Sequence, residues 1–85
     1  MPKITVYTIR YCPYCDMAKR LLTQKRASFA EIDVTGDRAG RAELRDKSGG
    51  RATVPQIWIG ALHVGGSSEL HALERDGKLD ALLAG

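Results

Sequence analysis

The run Ile4-Thr5-Val6-Tyr7-Thr8, followed after three residues by Cys12-Pro13-Tyr14-Cys15 and then by Met17, Ala18, Leu21 and Leu22, decides how this chain folds. The first five residues are β-branched or aromatic and read as a strand. From Pro13 the apolar residues recur at helical intervals with Lys19, Arg20, Lys25 and Arg26 between them, which predicts an amphipathic helix of about three turns with Pro13 in its first turn. Phe29 to Val34 alternates apolar and polar residues and reads as a second strand. Strand, helix, strand in this order is most simply a right-handed parallel crossover.

Downstream of this unit, Thr35-Gly36-Asp37 opens a polar helix carrying Ala39, Ala42 and Leu44, stopped by Ser48-Gly49-Gly50. Gln56-Ile57-Trp58-Ile59 and Leu62-His63-Val64 flank Gly60-Ala61 at the spacing of an antiparallel hairpin. After Gly65-Gly66, Ser67 or Ser68 can cap a helix carrying Leu70 and Leu73, and Leu79, Leu82 and Leu83 close the chain with another turn or two. Within the hairpin, Trp58 faces opposite Ile57 and Ile59 and is expected to pack under a helix or to stand as a surface aromatic; Tyr7 is expected to pack in its strand, and His63 and His71 to face solvent.

At 85 residues, 44% of them hydrophobic and 27% charged, the chain has the size and composition of one globular domain spanning 1–85. Thirteen Lys and Arg against ten Asp and Glu leave +3, and the excess is local: residues 1–28 carry six basic residues and one acidic. Without a Lys/Arg run this is no nucleic-acid footprint. No apolar leader segment follows Lys3, and the longest uncharged stretch, residues 52–68, is broken by Pro55 and several glycines, so neither a signal peptide nor a membrane span is expected. A cytoplasmic protein is the expectation, and there reducing systems make two cysteines catalytic or metal-binding sooner than structural.

The placement of the cysteines says which. A cysteine just ahead of a helix faces free backbone N–H groups and the positive end of the helix dipole, which favour a thiolate; Arg10, Lys19 and Arg20 are the cations near enough in sequence to add to that field. Cys12 is therefore the expected nucleophile. Cys15, one helical turn on, is placed to attack a mixed disulfide formed at Cys12 and resolve it. A zinc half-site is the rival reading, but zinc takes four ligands, no second CxxC exists, and His63 and His71 stand eight apart. No metal is expected. Two further pieces lie downstream: Thr53-Val54-Pro55 ahead of a β-run, where a cis Val-Pro bond would present the Val54 backbone to a ligand like a strand partner, and Gly65-Gly66-Ser67-Ser68, where glycines admit close backbone approach and a helix start offers N–H groups to a carboxylate.

Taken together, CPYC after a strand, TVP before a hairpin and GGSS before a helix resemble the dithiol glutaredoxins over essentially the whole chain. The resemblance implies a thioredoxin fold, with a four-stranded mixed sheet built from a parallel βαβ and an antiparallel ββα unit and flanked by helices, Pro55 being cis. It implies a monomeric, glutathione-dependent thiol-disulfide oxidoreductase acting on disulfide-containing or glutathionylated proteins, ribonucleotide reductase among them, with glutathione as co-substrate. Cys12 would form the mixed disulfide, Thr53 and Val54 would pair with the cysteinyl backbone, Gly66, Ser67 and Ser68 would hold the γ-glutamyl end, and Tyr11 and Tyr14 would border the groove. Relatives often carry Lys where Ile9 stands; Arg10 beside it, and Arg41, which matches a basic family position once one residue is inserted at Gly49-Gly50, are the alternatives for the glycine carboxylate. An acidic residue commonly stands where this chain has Ser68, with Glu69 next. Two rivals share the fold: a redoxin fed by thioredoxin reductase, and a scaffold in which Cys12 and glutathione from two chains hold a [2Fe-2S] cluster, disfavoured by Pro13 because cluster-binding relatives carry a smaller residue there.

Overall fold

The computed structural model describes residues 2–51 and 53–85. Strand β1 (Ile4–Thr8) leads into helix α1 (Pro13–Gln24), strand β2 (Ala30–Asp33) and helix α2 (Arg38–Lys47); strands β3 (Gln56–Ile59) and β4 (Leu62–Gly65) form the hairpin, and helices α3 (Ser67–Arg75) and α4 (Leu79–Ala84) finish the chain. The sheet order is β2-β1-β3-β4. β1 pairs in parallel with β2, Val6 opposite Glu31, and antiparallel with β3, Val6 opposite Ile57, while β3 and β4 are antiparallel. This is the four-stranded mixed sheet of the thioredoxin fold.

Alternation along β1 and β3 sends side chains to two different cores. Ile4, Val6, Ile57 and Ile59 pack with Ala18, Leu21 and Leu22 of α1, Leu70 of α3, and Leu79 and Leu83 of α4. On the other face Tyr7 and Trp58 meet Val34 and Leu44, and Leu44 is the one residue of α2 that is buried there. Trp58 is edge-on to Tyr7 with centroids 5.4 Å apart, and Lys47 sits over both rings while its Nζ donates to the Tyr7 hydroxyl at 3.1 Å. The hairpin reverses at Gly60, whose φ of 59° favours glycine.

Four expectations need correction. The second strand is shorter than residues 29–34 and, at the edge of the sheet, buries none of its four residues; the flanking Phe29 and Val34 take up the packing instead. Its Glu31 is pinned by the Thr8 hydroxyl at 2.7 Å and by Lys19 at 3.0 Å. Met17 is 43% exposed: the inner stripe of α1 runs through Cys15, Ala18, Leu21 and Leu22, and Met17 lies about 200° round the helix from Cys15. The cap of α3 is Gly66 and neither serine, since Glu69 reaches back to accept the Gly66 N–H at 2.7 Å. Finally, His63 and His71 are half-buried and partnered, His63 stacked on Trp58 and bonded to Gln56, His71 donating from Nδ1 to the Ser67 carbonyl at 2.8 Å.

Candidate active site

Tyr11 ends the strand-to-helix link in the left-handed region at φ 59° with its side chain 97% exposed, and this turn brings Cys12 to the N-cap of α1. Pro13 occupies the first helical position, where an N–H would have no helical partner. The Cys15 N–H, which does need one, donates to Cys12 Sγ at 3.1 Å. The Cys12 sulfur is thus held by a backbone donor at the N-terminus of α1. Its other neighbour is the Val54 carbonyl, at 4.0 Å.

Cys15 lies inward, 1% exposed. Burial pushes its thiol up from the ordinary 9.0 to about 12; its hydrogen bond to Cys12 and the Cys12 charge add to this, while the Ile9 backbone and the Lys19 charge oppose it. Both sulfurs are buried, Cys12 at 9% exposure next to the surface and Cys15 at 1% behind it. Both are free thiols.

Beside Cys12 runs a groove of about 150 Å³. Tyr14 of α1 forms one rim, Thr53, Val54 and Pro55 form the floor ahead of β3, and Gly66, Ser67 and Ser68 at the start of α3 form the far wall. Val54–Pro55 is a cis peptide bond, as anticipated. Gly65, which leads into this wall from the end of β4, has φ 111°, a backbone conformation that favours glycine. Tyr14, Thr53, Val54, Pro55, Gly66, Ser67 and Ser68 converge on this one groove, whereas Tyr11, expected at its border, does not line it.

Arg10 and Arg41 do not line it. Past the left-handed turn of the link, the Arg10 backbone N–H donates to Thr35 Oγ1 at 2.8 Å. Its charge is felt at Asp33, whose carboxyl is held low first by Thr35 and in smaller part by Arg10. Lys19 faces Glu31 and Asp16, and Arg20 lies eight residues beyond Cys12, so neither crowds the sulfur. The groove has a different charged pair, Arg51 and Glu69, 3.4 Å apart. Glu69 is held below the ordinary carboxylate range first by the Gly66 N–H and then by Arg51. A third support is Gln56, fully buried, which donates from Nε2 to Thr53 Oγ1 at 3.1 Å and accepts from His63 Nε2 at 2.7 Å. Glu69 carried a sequence signal, an acid one residue past the usual place; Arg51 and Gln56 carried none beyond their neighbourhood to the TVP run.

Among the described residues no group of three or more His, Cys, Asp or Glu is arranged to hold a metal ion, and no helix is long and apolar enough to cross a membrane. A dithiol pair at the strand-to-helix junction of a thioredoxin fold, one sulfur at the helix N-cap and the other a turn further in, defines the class: a thiol-disulfide oxidoreductase. The glutaredoxin family profile matches residues 4–64. A glutaredoxin of Pseudomonas aeruginosa is 57% identical over 84 residues, covering 99% of each chain, and glutaredoxin 3 of Escherichia coli K12 is 48% identical over 83 residues, covering 98% of this chain and 99% of its own. The crystal structure of a buckwheat glutaredoxin–glutathione complex superposes with a TM-score of 0.88 at 32% identity, over 98% of this chain and 77% of that one. The chain belongs to the glutaredoxin family, as a small glutaredoxin of the bacterial kind. It is a glutathione-dependent thiol-disulfide oxidoreductase, and Cys12 and Cys15 are its active-site dithiol pair.

Proposed function

We propose that Cys12 is the attacking sulfur and Cys15 the resolving one, and that the groove beside them seats glutathione. The observation that carries this reading is the Cys12 sulfur at the N-cap of α1, bonded to the Cys15 N–H at 3.1 Å and 4.0 Å from the Val54 carbonyl that begins the groove. The Cys12 thiolate attacks one sulfur of a protein disulfide or of a glutathionylated cysteine; a new S–S bond forms, the old one breaks, and the leaving thiolate takes a proton from solvent. Cys15 then attacks the Cys12 sulfur, closing a Cys12–Cys15 disulfide as the bound thiolate leaves, or a second glutathione attacks the glutathione sulfur of the mixed disulfide, forming glutathione disulfide as the Cys12 thiolate leaves.

Glutathione lies with its cysteinyl backbone along Thr53 and Val54, beside Pro55 and Tyr14, and its γ-glutamyl carboxylate on the N–H groups of Gly66, Ser67 and Ser68. Glu69, ionised and on the same wall, supplies the anion for the γ-glutamyl ammonium that Ser68 cannot. Arg41 is assigned the glycine carboxylate on its matching family position alone; Arg10, turned toward Asp33, is assigned no contact. Residues 1–85 act as one monomeric domain in the cytoplasm, without a resident metal, on glutathionylated and disulfide-bearing proteins, ribonucleotide reductase among them. Both cores share one sheet, which supports a single domain.

The test is the pair of single substitutions, assayed with glutathione, glutathione reductase and NADPH. Cys12→Ser is expected to lose all turnover. Cys15→Ser is expected to keep reduction of glutathione mixed disulfides, since glutathione itself resolves them. Equal loss in both variants would refute the assignment of roles, and a visible absorption band in anaerobically purified protein would refute the absence of a cluster.

A further inference from the structure

A second furrow follows the seam between α1 and α3. Its upper part, about 440 Å³, is walled by Tyr14, Met17, Ser67, Ser68, His71 and Arg75. Met17 and His71 continue into a lower part that adds Arg20, Leu21 and Gln24. Tyr14, Ser67 and Ser68 wall both this furrow and the glutathione groove, so a chain leaving one enters the other without leaving the surface. From Tyr14 to Gln24 the furrow follows about 15 Å of α1, the span of four to five residues of extended polypeptide.

The chemistry of the walls is specific. Tyr14 and Met17 are 62% and 43% exposed, an aromatic and a flexible thioether of the kind that adapts to varied partners. Arg20 and Arg75 are exposed on opposite helices and form no ion pair or hydrogen bond among the described residues. The acids of these helices are each committed elsewhere: Asp16 to Lys19, Glu74 to Lys25, and Glu69 to Arg51 and the Gly66 N–H. With its Nδ1 spent on the Ser67 carbonyl, His71 has Nε2 left for a partner. Two open guanidinium forks, Arg75 along the upper part of the furrow and Arg20 along the lower, match carboxylates on a polypeptide.

We propose that this furrow seats the acidic flank of the protein substrate, a segment carrying carboxylates within about four to five residues of the cysteine delivered to Cys12. The proposal rests on the reading that Cys12 receives glutathionylated proteins, and it names which ones are preferred.

The experiment compares two glutathionylated peptides of equal length, one with Glu on both sides of the cysteine and one with Gln in those places, together with the small mixed disulfide of glutathione and mercaptoethanol. At low salt the wild-type protein should favour the Glu peptide about fivefold to tenfold in kcat/KM, as two exposed charge pairs allow, and the preference should shrink toward one in 1 M salt. In Arg20→Gln/Arg75→Gln the preference should fall to about one with the small disulfide turned over at the wild-type rate, and Arg20→Glu/Arg75→Glu should favour a Lys peptide. Equal wild-type rates on the Glu and Gln peptides, a preference surviving in the double Gln variant, or a parallel fall on the small disulfide would overturn the proposal. So would a concentration-dependent dimer in sedimentation that the double variant abolishes, which would make a second copy the occupant. Failure of the wild-type protein on the small disulfide would overturn the underlying reading of Cys12.

Discussion

Cys15 should be chemically silent in the native chain although it is a free thiol three residues from the reactive one. A thiol pushed from 9.0 up to about 12 holds, at pH 8, about a thousandfold less thiolate than an ordinary cysteine. The thiolate is the species that alkylates, so initial labelling of Cys15 by iodoacetamide should run about a thousandfold slower in the native protein than in the same protein unfolded in urea. Its 1% exposure adds a steric barrier in the same direction. Site-resolved mass spectrometry after short exposures reads both cysteines in one sample, and Cys12 should carry essentially all of the native label. The sign also fixes a pH window: a raised thiol pKa favours the folded state fully below about 9, and that contribution is lost as pH climbs toward 12, so a Cys15→Ala variant should close on the wild type in stability across that interval. Native Cys15 labelled within tenfold of its unfolded rate would refute the argument.

Glu69→Gln removes the anion that holds the Gly66 N–H and Arg51; with the side chain nearly half exposed, the cost at pH 7 should be at most about 1 kcal/mol, or about 4 to 8 °C in Tm. Because the folded carboxyl is held below its ordinary 4.5, that difference should be present above pH 4.5 and vanish as pH falls through the lower native value, and a pH-independent difference by thermal denaturation would contradict it. Leu44→Ala should cost about 2 to 5 kcal/mol, since α2 is anchored by that one buried side chain, and hydrogen exchange should show α2 amides opening first; protection equal to wild type would mean the anchor lies elsewhere.

The parts of the site that were legible in the sequence are those set by local backbone chemistry. A proline at N1 and a cysteine before it define a helix start whatever packs around them, and glycine pairs announce close approach. What stayed hidden depends on direction in space. Gln56 reads only as the first residue of a strand; it is fully buried, and Thr53 and His63 satisfy both ends of its amide. Arg10 looked near the sulfur by number; the left-handed turn at Tyr11 separates it from the groove. Glu69 was visible as an acid displaced by one residue, but its place on the groove wall follows from Gly66, and neither serine, being the cap.

The same contacts that silence Cys15 make its silence conditional. Of the three influences that raise its pKa, burial is permanent, but the hydrogen bond to Cys12 and the Cys12 charge both depend on the Cys12 thiolate. Once Cys12 has attacked and its sulfur sits in a neutral mixed disulfide, the charge is gone and the sulfur is a poorer acceptor, while the opposing pulls of the Ile9 backbone and Lys19 remain. On the roles proposed above, Cys15 should therefore ionise more readily once Cys12 sits in the mixed disulfide than before. Burial still holds it back after that point, which leaves time for a second glutathione to resolve the intermediate first. One pair of sulfurs, spaced by a helical turn and differing in exposure, thereby supports both the dithiol and the glutathione route, and the balance between them is set by how deeply α1 buries Cys15.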